Sequence, residues 1–303
     1  MLASRRKRSL LWRGLQITVI GLIFALLLRN LYSSWNQISA YDWSLNYPTF
    51  AIAFFLMLLA SSFYAYLWKL ILVRLGNPLS YRKSFRIFFL SQLGRYLPGK
   101  IWGILGLVYL SEREGIPKTL STASITLQLI LQLLSGTMVF LFTLPLWPRG
   151  IGPVGGLYPF LILLPLSLLL IHPSVVRRGL DLFSRLTRQE VVSIEWSHRE
   201  IVAQLALWTL FWSLNGLAHL FLINALFPFP LTYLPIVTGI FAVGWVVGFI
   251  SLFAPAGLGV MEGTLTFLLG FYFPAYVAII IALLTRLAHT SGDLLCAAVA
   301  WRL

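Results

Sequence analysis

Four stretches of this sequence, 48–73, 119–147, 201–227 and 232–253, stay apolar over lengths that match a lipid bilayer. A helix needs about 20 residues to cross a hydrocarbon core of roughly 30 Å. Backbone polar groups in lipid must be satisfied within the segment, so such runs are read as helices. A transmembrane β-barrel would alternate apolar and polar residues, and these runs do not. Hydrophobic residues make up 59% of the 303 residues and charged ones only 11%, against about 25% charged in a soluble domain. The fold class is therefore an all-α polytopic membrane protein.

The runs are not uninterrupted. "SQLGRYLPGKIWGILG", residues 91–106, places Arg95, Pro98, Gly99 and Lys100 inside an otherwise apolar region, and "APAGLG", 254–259, interrupts a later one. Lys and Arg decide between a crossing and a turning-back. With the N-terminus in the cytoplasm, the basic clusters 5–13, 74–86, 113–118 and 177–199, together with Arg302, fall on the cytoplasmic side, and Arg149 is nearly alone outside. That count holds only if 84–112 and 232–272 each leave on the side they entered. Both are then re-entrant hairpins, broken at Pro98-Gly99 and at Pro255, Gly257 and Gly259. Six spans and two hairpins result, in two halves of opposite orientation, about 10–147 and about 153–303. This is the inverted repeat of many transporters, whose sites lie between the repeats; the alternative is eight plain spans.

Residues 10–28 could be the apolar core of a signal peptide, but no small-residue cleavage site follows, so an uncleaved first span is expected. The segment 173–199, carrying Arg177, Arg178, Arg185, Arg188 and Arg199, is expected to lie on anionic lipid as a basic linker. The protein is expected in the cell (inner or plasma) membrane, multi-pass, with both termini cytoplasmic.

The net charge of +14 is explained by this loop bias and does not call for nucleic acid. Cys296 is the single cysteine and the His are four and scattered, so no disulfide or metal pattern arises. No G-x-S-x-G, H-E-x-x-H or P-loop is present. No cofactor, metal or catalytic residue is expected.

The rare charges within apolar runs remain as candidates. Arg95 and Lys100 bracket the first break. They would hold a phosphate headgroup, or snorkel at half-helix ends, the simpler account for Lys100. Glu262 follows the second break. It is either favoured by the helix dipole or a proton-coupling or Arg-pairing group. A direct approach of Arg95 and Glu262 across the pseudo-twofold axis is expected. Arg286, His289 and Asp293, at i, i+3 and i+7, share one helix face; they either fix packing through a salt bridge or line a polar route. Gln128, Gln132 and Ser135, and likewise Asn215 and His219, share faces suited to interhelical hydrogen bonds. Glu112, Arg113 and Glu114 read as a turn with a local ion pair.

"GRYLPGKIWG", "SEREGI", the spacing Pro255, Gly257, Gly259, Glu262, and then Arg286 resemble, as an ordered set over about residues 10–300, the transmembrane domain of lysylphosphatidylglycerol synthases and its stand-alone flippase-like relatives. The resemblance implies a protein that translocates an anionic phospholipid or polyprenyl-linked lipid between leaflets. The family often has Arg just before the late Glu, where this chain has Met261, so headgroup contact by that Arg does not carry over. The family's soluble aminoacyl-transferring domain is not in this sequence, so synthesis of the lysyl-lipid is not implied. Two alternatives stay open. One is a non-transporting accessory of a glycosyltransferase or lipid-synthesis enzyme. The other is an integral-membrane lipid or sugar transferase, which would need a carboxylate pair at one level. Anionic membrane lipids are the expected partners in every case.

Overall fold

The computed structural model describes residues 44–96, 101–147, 197–251 and 254–303, with isolated positions 29, 32, 36 and 39. The expected spans at 10–28 and 153–171, most of the basic linker, and Pro98, Gly99 and Lys100 lie outside the described residues. Among those described there is no strand. The helices are α1 (Tyr47–Arg74), α2 (Tyr81–Gln92), α3 (Trp102–Arg113), α4 (Lys118–Thr143), α5 (His198–Asn224), α6 (Leu234–Ile250), α7 (Val260–Leu269) and α8 (Ala275–Arg302).

Helix starts follow local chemistry. Asn46 caps α1 by accepting from Thr49 N–H at 3.0 Å, and Pro48 lies in the first turn, where no N–H is needed. Ser197 and Glu200 form a reciprocal capping box at the head of α5. Residues 198 and 199, within the expected linker 173–199, already belong to that helix. At the far end of α5, Asn224 uses its amide to donate to Phe229 O at 2.8 Å and to accept from Phe229 N–H at 3.0 Å, which turns the chain at "FPFP".

Two ends of the bundle can be told apart. At one, Arg74 meets Glu200 at 2.5 Å, Lys83 meets Glu114 at 2.8 Å and Lys118 meets Glu112 at 3.1 Å. These exposed pairs contribute little stability, but they fix which termini are neighbours. The acids of "SERE" thus pair with Lys83 and Lys118, not locally as expected, and Arg113 stacks on Tyr109 at 4.8 Å. At the opposite end Phe229, Tyr233, Tyr272 and Phe273 pack ring to ring, and Trp147 closes on Tyr272 at 6.2 Å. α4 runs from the ionic end to the aromatic end, and α8 returns.

The start of α2 and the end of α3 meet at the ionic end. The start of α6 and the end of α7 meet at the aromatic end. Each pair is a hairpin that leaves where it entered, one from each end. α1 and α5 lie side by side and antiparallel: Asn46 N–H donates to Ala225 O at 2.9 Å at one end, and Arg74 pairs with Glu200 at the other. α2 packs on α8 while α6 packs on α4, so each hairpin leans on the last helix of the other half. This is the inverted arrangement the charge count requires.

The hairpins are unequal. α2 and α3 have 12 residues each, but α6 has 17 and α7 only 10. Five described stretches are long and apolar enough to cross a membrane: Tyr47–Arg74, Lys118–Leu146, Val202–Asn224, Leu231–Ile250 and Ala275–Arg302. The fourth is the first limb of the second hairpin, expected to be a half-helix. It is extended by the turn Leu231–Tyr233, and its buried face has Gly239, Gly244 and Gly248, which let α4 and α7 come close.

The core is aliphatic and aromatic, with Trp68, Trp147 and Trp208 fully buried. Trp68 and Trp212 donate through Nε1 to Ser124 and Ser135 of α4, each at 3.0 Å. Large apolar side chains such as Phe55, Phe142 and Leu287 point outward, as they do in lipid. At the first tip a Cβ on Gly94 would lie 2.7 Å from the Trp102 carbonyl carbon and 2.8 Å from Gly103 N. Those are backbone atoms and cannot step aside. Gly94→Ala is expected to destabilise by about 1–3 kcal/mol, read as a lower melting temperature of the purified protein with unchanged insertion.

Candidate functional site

The tip of the first hairpin, the turn Leu93–Tyr96 that continues α2, touches the turn Pro255–Gly257 at the tip of the second. Where they meet, α8 passes behind both. Between the tips and the helices around them lies a cavity of about 460 Å³, within the usual range for a small-molecule pocket. Its lining includes the aromatic Phe88, Phe211, Trp212, Phe241 and Trp245 and also Arg95, Glu262, Arg286, His289 and Asp293. Five of the six polar candidates from the sequence thus converge on one space; Lys100 lies outside the described residues.

The second tip is built by backbone conformation. Ala256, Gly257 and Gly259 have φ of 47°, 69° and 80°. Gly257 is further confined, since a Cβ there would lie 2.9 Å from Gly248 O. Ala256 holds a left-handed conformation that costs a non-glycine residue about 1–2 kcal/mol, and its carbonyl accepts from Arg286 Nη1 at 3.0 Å. Glu262, the third residue of α7, reaches back to accept from Gly259 N–H at 2.7 Å. Its other oxygen lies 3.4 Å from Arg286 Nε. The Glu262 side chain is 6% exposed and that of Arg286 19%, so this pair is desolvated and each partner depends on the other.

At the first tip Arg95 pairs with Asp293, its guanidinium donating to Oδ2. Tyr96 O–H donates to the same oxygen at 2.6 Å, and Arg95 stacks over the Tyr96 ring at 5.2 Å. The expected direct pair of Arg95 with Glu262 is not what forms. Both residues line the cavity, but each takes its counter-charge from α8: Arg95 from Asp293, Glu262 from Arg286. The reason is spacing. Residues 286 and 293 are two helical turns apart on one face, so a single helix reaches both tips.

His289 lies between those two positions, and its Nε2 is 3.0 Å from His219 Nε2 of α5. His219 Nδ1 is 2.6 Å from Asn215 O. A carbonyl only accepts, so Nδ1 of His219 carries the hydrogen, its Nε2 accepts, and Nε2 of His289 is the donor. Asn215 bonds to Phe211 O within its own helix at 2.9 Å, so of that expected interhelical set only His219 crosses to another helix. Gln128 and Gln132 do cross, to Tyr64 O at 3.3 Å and Tyr64 O–H at 2.5 Å.

The site's participants that sequence reasoning missed are Tyr96, the Ala256 carbonyl and Tyr64. A tyrosine next to Arg95 at a hairpin tip is the one signal that could have been read. A backbone carbonyl leaves no sequence trace. Arg95 Nε and Arg286 Nη2 are buried N–H donors with no hydrogen-bond acceptor among the described residues. Among those residues no group of three metal-ligating side chains occurs.

A family model described as Lysylphosphatidylglycerol synthase TM region matches residues 13–296. A search of curated proteins finds no match to the chain.

Proposed function

The chain belongs to the lysylphosphatidylglycerol synthase TM-region family, a membrane family of lipid-related function, and from that premise we propose that it moves an anionic lipid headgroup between leaflets through the cavity between its hairpin tips. The observation that carries the reading is the pair of guanidinium groups, Arg95 and Arg286, which line one cavity, each with an N–H that has no acceptor among the described residues. A guanidinium binds phosphate through its planar fork and tolerates partial desolvation. An unused charged donor in a buried site is a standing cost that a phosphate oxygen removes. The aromatic lining residues accept the apolar part of the same molecule, so the cavity suits an amphiphile.

Asp293 and Glu262 hold the arginines when no lipid is bound. A headgroup phosphate competes with Asp293 for Arg95, whose side chain is the more exposed, 34% against 19% for Arg286. The exchange of one carboxylate for one phosphate needs no nucleotide. The basic end of the bundle, with the C-terminal Arg302, is assigned to the cytoplasm by the positive-inside rule.

The test is reconstitution into liposomes with fluorescent lipids, scoring label reached by an impermeant quencher. Labelled phosphatidylglycerol is expected to exchange between leaflets several-fold faster than in protein-free liposomes. Exchange no faster than in protein-free liposomes would refute the reading.

A further inference from the structure

With the ion pairs intact, the charges of the described cavity residues balance: Arg95 and Arg286 are positive, Glu262 and Asp293 negative. A phosphodiester brings one further negative charge. In a space lined mostly by apolar side chains, with a few neutral polar ones such as Gln132 and Asn215, an uncompensated charge is penalised, and a titratable group takes a proton instead. Three observations say where that proton goes. His289 precedes Asp293 by four residues on α8, so the two are neighbours on one face. Both line the cavity. The His219 contact uses Nε2–H of His289 and leaves Nδ1 as the basic position, so protonation there breaks no hydrogen bond in the pair.

We propose, resting on the anionic-lipid reading above, that one proton enters with each headgroup and is held by His289, which replaces Arg95 as the counter-charge of Asp293. Arg95 turns its guanidinium from Asp293 to the phosphate. His289 gains a proton at Nδ1 and faces the released carboxylate, which keeps the Tyr96 hydroxyl. Among the described residues the cavity then holds three positive and three negative groups. His219 keeps its own N–H on Asn215 O and accepts from His289 throughout, so the pair takes one proton and not two. The proton gradient across the membrane then becomes a driving force for lipid movement.

Among the described residues, the other titratable or charged groups facing the histidines are few. α1 brings Tyr64, the first tip brings Arg95 and Tyr96, α7 brings Glu262, and α8 brings Arg286 and Asp293. The described cavity-lining residues of α4 and α6 include none. A phenol does not titrate near neutral pH, and the arginines stay charged. Of the two carboxylates, Glu262 keeps Gly259 N–H and Arg286, while Asp293 gains His289. That leaves the histidine as the group that changes charge.

The experiment measures binding, separately from transport. Short-chain phosphatidylglycerol is titrated onto the purified full chain in an uncharged detergent. Its phosphodiester does not itself titrate near neutral pH. Binding that takes up one proton strengthens about tenfold for each unit the pH falls, across the range where His289 is neutral in the free protein and charged in the complex. His289→Gln is expected to bind with no such slope. Saturable binding whose affinity is flat from about pH 5.5 to 8 overturns the proton step and leaves the lipid reading standing. No saturable binding at any pH overturns both. Should His289→Gln elute aggregated, the wild-type slope alone decides, and a full slope retained in a monodisperse His289→Gln removes His289 from the role.

Discussion

Arg286→Ala is expected to cost about 3–5 kcal/mol of stability, the usual penalty for removing one member of a buried ion pair. The loss has two parts. Glu262, 6% exposed, is left with only the Gly259 N–H as a partner, and the Ala256 carbonyl, held in its left-handed turn, loses its donor. The second hairpin tip therefore loosens as a unit. Arg286→Lys keeps the charge but not the two-point contact, so an intermediate loss is expected. Glu262→Gln combined with Arg286→Gln leaves no unpaired charge and should recover a good part of the stability. Melting temperatures of the purified variants check this. A single variant as stable as wild type, or a double variant worse than either single one, would show that the pair does not hold the tip.

Arg95→Ala is expected to do the opposite: leave the protein folded and stop lipid exchange. The Asp293 side chain is 11% exposed but keeps the Tyr96 hydroxyl, and Arg95 is one-third exposed, so some stability is lost, less than at the Arg286–Glu262 pair. The function loses its first phosphate contact. A charge-assisted hydrogen bond is worth about 1.5–3 kcal/mol, which amounts to roughly a 10- to 150-fold drop in rate. Lys at the same position should restore part of the rate, since it retains the charge without the fork. Normal exchange of labelled anionic lipid by a correctly inserted Arg95→Ala protein would remove Arg95 from the route.

Much of this architecture is legible in residue order. The apolar runs give the long helices to within a few residues, and the Lys and Arg asymmetry demands two hairpins before any contact is known. What the runs do not reveal is hairpin symmetry. α6 is longer than α2, and its glycines at 239, 244 and 248 serve close packing against α4 and α7, whereas glycine spacing in a sequence reads equally well as a break. The candidate charges were legible because charge is rare at membrane depth: Arg95, Glu262, Arg286, His289 and Asp293 stand out by cost alone. Their pairing was not. Helical periodicity puts 286, 289 and 293 on one face, but which tip each meets depends on the lateral position of α8 between the hairpins. That is a tertiary fact, and it explains why the expected Arg95–Glu262 pair gives way to two pairs that share α8.

The central claim is that a lipid headgroup enters the space between the tips. It is tested most directly by photo-crosslinking in liposomes with an anionic phospholipid that carries a diazirine on its headgroup, followed by mapping of the adducts by mass spectrometry. Adducts are predicted on cavity-lining residues of α4 and α8, such as Gln132 and Thr285, suppressed by excess unlabelled phosphatidylglycerol and absent from Leu287, which is 64% exposed on the outer face of α8. Adducts confined to Leu287 and other outward-facing positions, with none in the cavity, would contradict the account.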